Sequence, residues 1–159
     1  MQQGDIKRFG GVSVYTGCLP VIVVRYDDSQ SGADIGAMGA EIVRLAKTHR
    51  WIGMIHDVSG LTRVLGAADR KHMRESVEGL IPIMDAKAAG SAIIITNPLI
   101  RGAMTAAKWF MPHKFEEKLF ATPREGAEWL ITRFAHVGAP LPAATAAKLV
   151  EAATGRFAA

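Results

Sequence analysis

The sequence predicts one α/β domain in which a mixed, mostly parallel sheet is covered by helices. Strand-like apolar runs alternate with helix-like segments along most of the 159 residues, and this alternation favours parallel strands joined by helical crossovers. Hydrophobic residues make up 49% of the chain and charged residues 21%, which is enough apolar material for a buried core and too much for a disordered chain. No apolar run approaches the roughly 20 residues that a membrane span requires.

The first half of the chain predicts a hairpin, a helix and a buried strand, after a polar lead-in over residues 1–10. Gly17 and Pro20 supply the turn of the hairpin. Apolar residues then recur at helical spacing, and a short apolar run that ends at Asp57 follows. The predicted bounds are, in chain order, Val12–Thr16, Leu19–Tyr26, Ile35–His49 and Trp51–His56.

The second half predicts three helices and two strands. Pro82 splits the first of these helices after Glu78, because proline lacks an N–H group and clashes with the preceding turn. Thr122 and Glu125 form a capping box with a proline at the first helical position, which marks a helix start. The predicted elements are a helix from Ala67, a strand at Ala92–Thr96, a helix from Pro98 to Met111, an edge strand at Lys118–Ala121 and a helix from Pro123.

Residues 135–159 differ from the rest in composition, with 10 alanines in 25 positions and two prolines near the start. We predict a short linker and then a helix over Pro142–Thr154, which Gly155 ends. Because its apolar face is narrow, this helix needs another surface to be stable. The chain is therefore divided into a domain over residues 1–134 and a helical extension over residues 135–159. The composition suggests that the extension self-associates or docks on a partner, and packing on its own domain is the open alternative.

Charge and cysteine content exclude several classes of function. The net charge is +4, but the Lys and Arg residues are scattered, whereas a nucleic-acid binder gathers them on one stripe. Cys18 is alone, so it forms no internal disulfide and no zinc site, and the five histidines lack metal-ligand spacing. We expect no metal and no cofactor. The N-terminus has no apolar signal segment, so we expect a cytoplasmic protein.

Acidic residues follow two of the predicted strands, at Asp27, Asp28 and Asp57, and Thr96 closes another. This pattern resembles the receiver domain of response regulators, where such residues hold Mg²⁺ and accept a phosphoryl group. The connectivity differs, because a receiver has two helices and a strand between these positions and this chain has one helix. The favoured interpretation is that the aspartates cap loops through side-chain-to-backbone hydrogen bonds.

His56, Asp57 and Ser59 place the residue types of a hydrolase within four positions. A catalytic triad is an arrangement in space, so adjacency along the chain supports it only weakly. No serine lies in a G-x-S-x-G motif. A hydrolase is therefore the weakest of the functional hypotheses.

An aromatic and Met-rich corner is predicted at the end of the helix that starts at Pro98, and its members are Trp109, Phe110, Met111 and Phe115. Such side chains most often pack in a core. The alternative is that they form the wall of a pocket for a small apolar ligand or a lipid, for which the flexibility of Met is well suited.

Three segments resemble, in order and spacing, the SpoIIAA-like proteins, which are related to STAS domains. In those proteins a strand ends in a D-[LV]-S-G turn, a later strand and helix begin the second half, and a strand and an Ala-x-Trp-Leu helix close the domain. The matching positions are Asp57–Gly60, Ala92–Phe110 and Phe120–Leu130, and the resemblance covers residues 12–134. It implies an α/β sandwich shared with lipid-binding CRAL-TRIO folds and no established catalytic activity.

The resemblance also implies a role in regulation. STAS domains of this type antagonise anti-sigma factors and are switched by phosphorylation of a serine in a D-S-S-G turn. The corresponding positions here, Leu65–Ala68, carry no hydroxyl group, so the phosphorylation switch is not transferred.

We therefore expect a non-enzymatic interaction module that binds an unidentified protein through the loop after Asp57 and the helix that follows. The expected binding residues are polar, and they are Ser59, Thr62, Arg63, Asp69 and Arg70. The runner-up is a carrier of a small apolar ligand at the aromatic corner, and self-association is open in either case.

Overall fold

The computed structural model describes residues 5–62, 67–108 and 113–155. These ranges contain six strands: β1 (Ile6–Phe9), β2 (Val12–Cys18), β3 (Val21–Asp27), β4 (Ile52–Gly60), β5 (Ala88–Ile94) and β6 (Glu117–Phe120). They also contain six helices: α1 (Gly32–Thr48), α2 (Ala67–Glu78), α3 (Ile81–Lys87), α4 (Pro98–Lys108), α5 (Pro123–His136) and α6 (Ala143–Thr154). Within these ranges no helix is both long and apolar enough to cross a bilayer.

All six strands form one sheet, and their order in the sheet is the order in the sequence. The strands β1, β2 and β3 pair antiparallel, whereas β3, β4, β5 and β6 pair parallel. Each parallel connection passes through at least one helix, as a crossover between parallel strands requires. The predicted class, a mixed and mostly parallel sheet covered by helices, is confirmed.

The local signals for turns and helix ends are confirmed. The hairpin turns between Cys18 and Val21, and the helix interrupted by Pro82 ends at Glu78 before α3 begins. The Thr122 hydroxyl accepts the Glu125 N–H at 3.3 Å, while the Glu125 carboxylate accepts the Thr122 N–H at 3.2 Å. These features were predictable because each depends on residues within a few positions of one another.

Three strand predictions need correction. The polar lead-in contains β1, which pairs with β2 from Ile6 opposite Tyr15, and its four residues, two of them charged, form too short a pattern to predict a strand. The strand β4 runs on through the D-V-S-G turn to Gly60. The strand β5 begins four residues before the predicted Ala92, in a run of small residues. That run fits close packing, because a Cβ atom at Gly90 would lie 2.9 Å from the Trp129 ring on α5.

The two faces of the sheet carry separate cores. The α5/α6 face, which is the face covered by α5 and α6, buries side chains such as Val23, Ile55 and Leu130. The α1/α3 face, which is covered by α1 and α3, buries side chains such as Ile22, Met54 and Met84. A third cluster, of Val58, Ile93, Ile95 and Ile100, lies under the start of α4.

The helix α6 packs on the sheet of its own chain. Its side chains Leu149, Ala152 and Ala153 are buried in the core of the α5/α6 face. The surface that its narrow apolar face needed is therefore supplied by α5, β2 and β3.

Candidate functional site

Polar loops gather at one edge of the sheet, because the carboxyl ends of parallel strands point the same way. The loop after β3, the end of β4 with its loop, and the start of α4 all lie there. We call this region the carboxyl edge, and it comprises Asp27–Gln30, Ser59–Thr62 and Thr96–Arg101.

At the carboxyl ends of β3 and β4, Asp27 and Asp57 each accept hydrogen bonds from the residue two positions further on. We call the second of these segments, which lies within the end of β4, the Ser59 turn. The Asp27 carboxylate accepts hydrogen bonds from the N–H and the hydroxyl of Ser29 at 2.8 and 2.5 Å. The Asp57 carboxylate accepts the same two bonds from Ser59, at 3.1 and 2.5 Å. Aspartate favours this arrangement because its side chain reaches the backbone two residues further on. The capping interpretation of these residues is confirmed.

A third aspartate ties two loops together. The Asp28 carboxylate accepts the backbone N–H of Thr62 at 2.9 Å and also its hydroxyl. The two residues are 34 positions apart, so this contact fixes the loop after β4 against the loop after β3. Hydrogen bonds to a charged acceptor are stronger than those between neutral groups, so this contact contributes to holding the two loops together.

Behind these loops, an ion pair connects the carboxyl edge with α6. The Arg25 Nε donates to the Asp57 carboxylate at 3.2 Å, and its Nη2 donates to the carbonyl oxygens of Ala152 and Ala153 at 3.1 and 2.9 Å. Those carbonyls belong to the last turn of α6, where they lack partners within the helix. Burial lowers the pKa of Arg25, and the Asp57 carboxylate opposes that shift. Asp57 thus holds both the Ser59 turn and the side chain that caps α6.

On the opposite face of the same strands, Tyr26 and His56 form a neutral pair. The Tyr26 hydroxyl lies 2.7 Å from the His56 Nδ1, and the two rings are stacked with centroids 5.9 Å apart. Burial raises the pKa of Tyr26 and lowers the pKa of His56, while the Glu117 charge acts against the shift of His56. Both shifts favour the uncharged forms of these side chains.

The hydrolase arrangement does not assemble. Neighbouring residues of a strand point to opposite faces, so His56 faces Tyr26 on one side while Asp57 faces Arg25 on the other. The Ser59 hydroxyl donates to Asp57 and not to an imidazole. The serine therefore lacks the adjacent base that would activate it. Within the described residues, no group of three or more His, Cys, Asp or Glu side chains is arranged to hold a metal ion.

The start of α4 presents an apolar side chain to solvent at this edge. Leu99 is 78% exposed, and it is the one large hydrophobic side chain that is exposed in the part of the chain that the structure describes. Its N–H donates to the Asn97 side chain at 2.9 Å, and Ile100 beside it is buried. The exposed Arg101 donates to the Ile95 carbonyl at 3.2 Å. The first turn of α4 is thus anchored, and Leu99 points away from the anchored side.

The structure describes the side chains of only two of the five predicted binding residues. Ser59 and Thr62 are exposed at the carboxyl edge. Arg63 lies outside the described residues. Asp69 and Arg70 belong to α2, but their side chains lie outside what the structure describes.

Of the predicted aromatic corner, Trp109, Phe110 and Met111 lie outside the described residues. Phe115 is half-buried and packs against the core of the α1/α3 face, and its N–H donates to Asp85 of α3 at 3.1 Å. For Phe115, the core-packing alternative is the one that the structure shows.

Sequence reasoning missed several features of this site, among them the roles of Arg25 and Leu99 and the partner of Asp28. Arg25 left a signal, because its charge directly follows the apolar run Val21–Val24. Asp28 was noted, but its partner Thr62 is too distant in the sequence to infer. Leu99 had no signal, because an apolar residue in the first turn of a helix is usually expected to be buried.

Comparisons with known proteins support the fold. No protein-family model matches the sequence, and no curated protein matches it. The structure is similar to that of an uncharacterized protein from the DUF3478 family with a SpoIIAA-like fold, from Shewanella loihica PV-4. The TM-score is 0.53 at 19% identity, and the match covers 78% of this chain and 97% of the other. The fold of this chain is therefore SpoIIAA-like, as the resemblance of its sequence implied.

Proposed function

We propose that this chain is a non-enzymatic, STAS-like interaction module of the cytoplasm that binds a protein partner through its carboxyl edge. The observation that carries the proposal is the exposed Leu99, which stands at the same edge as the loops tied by Asp28 and Thr62. An apolar side chain in water becomes favourable when a partner covers it, and burying a leucine fully contributes about 2 kcal/mol.

The hydrogen bonds behind the edge make it suitable for binding. Asp57 holds the Ser59 turn, and Asp28 holds the loop at Thr62. Because these loops are fixed before a partner arrives, little conformational entropy is lost on binding. The hydroxyl groups of Ser59 and Thr62 donate to Asp57 and Asp28, and on these exposed side chains their oxygens can still accept hydrogen bonds from a partner.

Charge indicates the chemistry of the partner. Arg101, two positions after Leu99, is exposed in the first turn of α4, and Arg63 and Arg70 follow Thr62 in the sequence by one and eight positions. An exposed cation next to an exposed apolar side chain favours a partner segment that combines carboxylates with an apolar side chain. We therefore propose an acidic protein segment with one apolar anchor as the occupant of this edge.

The test compares variants of the immobilised chain in capture from a native lysate of the source cells. Leu99→Glu and the double variant Arg63→Glu with Arg70→Glu are each expected to retain the fold and to lose the captured protein. Ala147→Glu is the matched control, because it adds the same charge at an exposed position of α6. Its capture is expected to equal that of the unmodified chain.

The proposal fails if the edge variants capture the same proteins as the Ala147→Glu control, because binding would then not depend on this surface. The solution mass separates a foreign partner from a second copy. A dimer that Leu99→Glu converts to the 17.1 kDa monomer would make the occupant another copy of this chain and contradict an acidic foreign partner.

A further inference from the structure

A shallow cleft lies at the opposite edge of the sheet from Leu99. Pro20 and Trp51, which directly precede β3 and β4, form one side of it. Phe134 in the last turn of α5 and Leu141 in the connection to α6 form the other side. The cleft has a volume of about 250 Å³, and neither the carboxyl edge nor the proposed function uses it.

The walls of the cleft are apolar and held in place. Phe134 is buried in the core of the α5/α6 face, and Trp51 and Leu141 are half-buried against that core. Pro20 and Pro142 complete the walls, and their rings fix the backbone φ angles at these two positions. A cleft with such walls is formed before a ligand enters, so binding requires little reordering of the chain.

The rim of the cleft carries a cation that is paired with no acidic side chain among the described residues. Arg50 lines the cleft and is exposed, and no hydrogen bond or ion pair joins its guanidinium to another of the described residues. None of the described residues that line the cleft is acidic. A guanidinium group recognises carboxylates through paired N–H donors, so the rim offers a place for one carboxylate beside the apolar walls.

We infer that this cleft binds a small carboxylic acid with an aromatic or branched apolar body. The apolar body lies between Trp51, Phe134 and Leu141, and the carboxylate accepts hydrogen bonds from Arg50. The size of the cleft supports a compact ligand, because its volume of about 250 Å³ lies below the roughly 300–1,000 Å³ of sites for drug-sized molecules. This site and the carboxyl edge are independent, so each inference stands or fails alone.

The test is an NMR titration of the ¹⁵N-labelled full chain with 3-phenylpropionate, followed at the indole N–H signals. Trp51→Phe assigns the signal of Trp51, and the signal of Trp129, whose ring packs near Gly90 of β5, is the internal reference. The acid is expected to shift the Trp51 signal in a saturable way. The neutral analogue 3-phenylpropionamide is expected to bind about fivefold more weakly, because a solvent-exposed ion pair contributes only modestly.

Two arginine variants separate recognition of the anion from adsorption on an apolar surface. Arg50→Gln is expected to weaken binding of the acid about fivefold and to leave binding of the amide unchanged. Arg124→Gln, which removes the same charge from the first turn of α5, is expected to leave both unchanged. A Kd of about 1 mM would saturate the Trp51 signal at about 10 mM acid, so the inference is overturned if that signal does not shift at this concentration. It is also overturned if Arg50→Gln binds the acid and the amide with the same affinities as the unmodified chain.

Discussion

The carboxyl ends of β3 and β4 carry two polar pairs, one on each face of the sheet, that are held in different ways. Arg25 and Asp57, on the α5/α6 face, are charged, and their remaining hydrogen bonds go to the Ser59 turn and to the last turn of α6. Tyr26 and His56, on the α1/α3 face, favour their neutral forms and bind mainly each other. An ion pair that is largely buried needs several hydrogen-bond partners, because they offset the hydration that its charges lose. A neutral pair loses less hydration and needs fewer partners.

The difference shows how the fold supports its candidate surface. Because Asp57 binds both Arg25 and Ser59, and Arg25 binds the last turn of α6, a change at the binding loop is connected to α6. Among the described residues, the side-chain hydrogen bonds of Tyr26 and His56 reach only each other and Met38 of α1, and not the carboxyl edge. We therefore expect perturbation of the charged pair to affect stability and docking together, and perturbation of the neutral pair to affect stability alone.

The largest effect is expected from Asp57→Ala. The substitution leaves the partly buried Arg25 guanidinium without its carboxylate and removes the cap of the Ser59 turn. Removing one partner of a buried ion pair costs about 3 kcal/mol, so the free energy of unfolding in a urea titration should fall by about that amount.

The matched control is Glu128→Ala, which breaks the pair between Glu128 and Arg124 on the surface of α5. Both of those side chains are more than half exposed, at 57% and 62%, so the loss should be below about 0.5 kcal/mol. Equal losses in the two variants would show that the pair of Arg25 and Asp57 does not hold this edge together.

A smaller effect is expected from Tyr26 and His56, as a loss of folding stability at low pH. Burial lowers the pKa of His56 in the folded chain, whereas in the unfolded chain it titrates at about 6.5. As the pH falls below about 6.5, the unfolded chain takes up a proton that the folded chain does not, so stability is lost progressively down to the lowered pKa.

Urea titrations at a series of pH values check this expectation, with His56→Gln as the comparison. The free energy of unfolding of the variant should depend less on pH below about 6.5, because glutamine does not titrate. If the slopes of the variant and the unmodified chain were the same, the imidazole would not be held in its neutral form by the fold.

The smallest effect is expected from Ser59→Ala. This substitution removes the hydroxyl that donates to Asp57 at 2.5 Å but leaves the backbone N–H bond and the ion pair in place. One hydrogen bond contributes about 1 kcal/mol, so the free energy of unfolding should fall by no more than that. A loss as large as that of Asp57→Ala would mean that the hydroxyl, and not the ion pair, is the main support of the turn.

The sequence predicted the features of this molecule that depend on near neighbours. The hairpin turn at Pro20, the interruption at Pro82 and the cap at Thr122 all involve residues within a few positions of each other, and the structure has each of them. The order of these elements and the D-V-S-G segment were sufficient to indicate the SpoIIAA-like fold.

The candidate site was less predictable because its contacts are distant in the sequence. Arg25 reaches the carbonyl of Ala153 across 128 positions, and Asp28 reaches Thr62 across 34. No local pattern encodes such pairs. The bounds of β5 were shifted for a similar reason, since the small residues at its start are explained by the Trp129 ring that packs on Gly90.

The most direct test of the central claim, that the carboxyl edge is a docking surface, is site-specific photo-crosslinking in the source cells. A photoreactive amino acid is placed at Leu99 and at Ser59 in turn, and at the exposed Ala147 of α6 as the control. The account predicts that both edge positions give an adduct with the same protein and that Ala147 does not. The claim is contradicted if neither edge position forms an adduct, or if Ala147 gives the same adduct with equal yield.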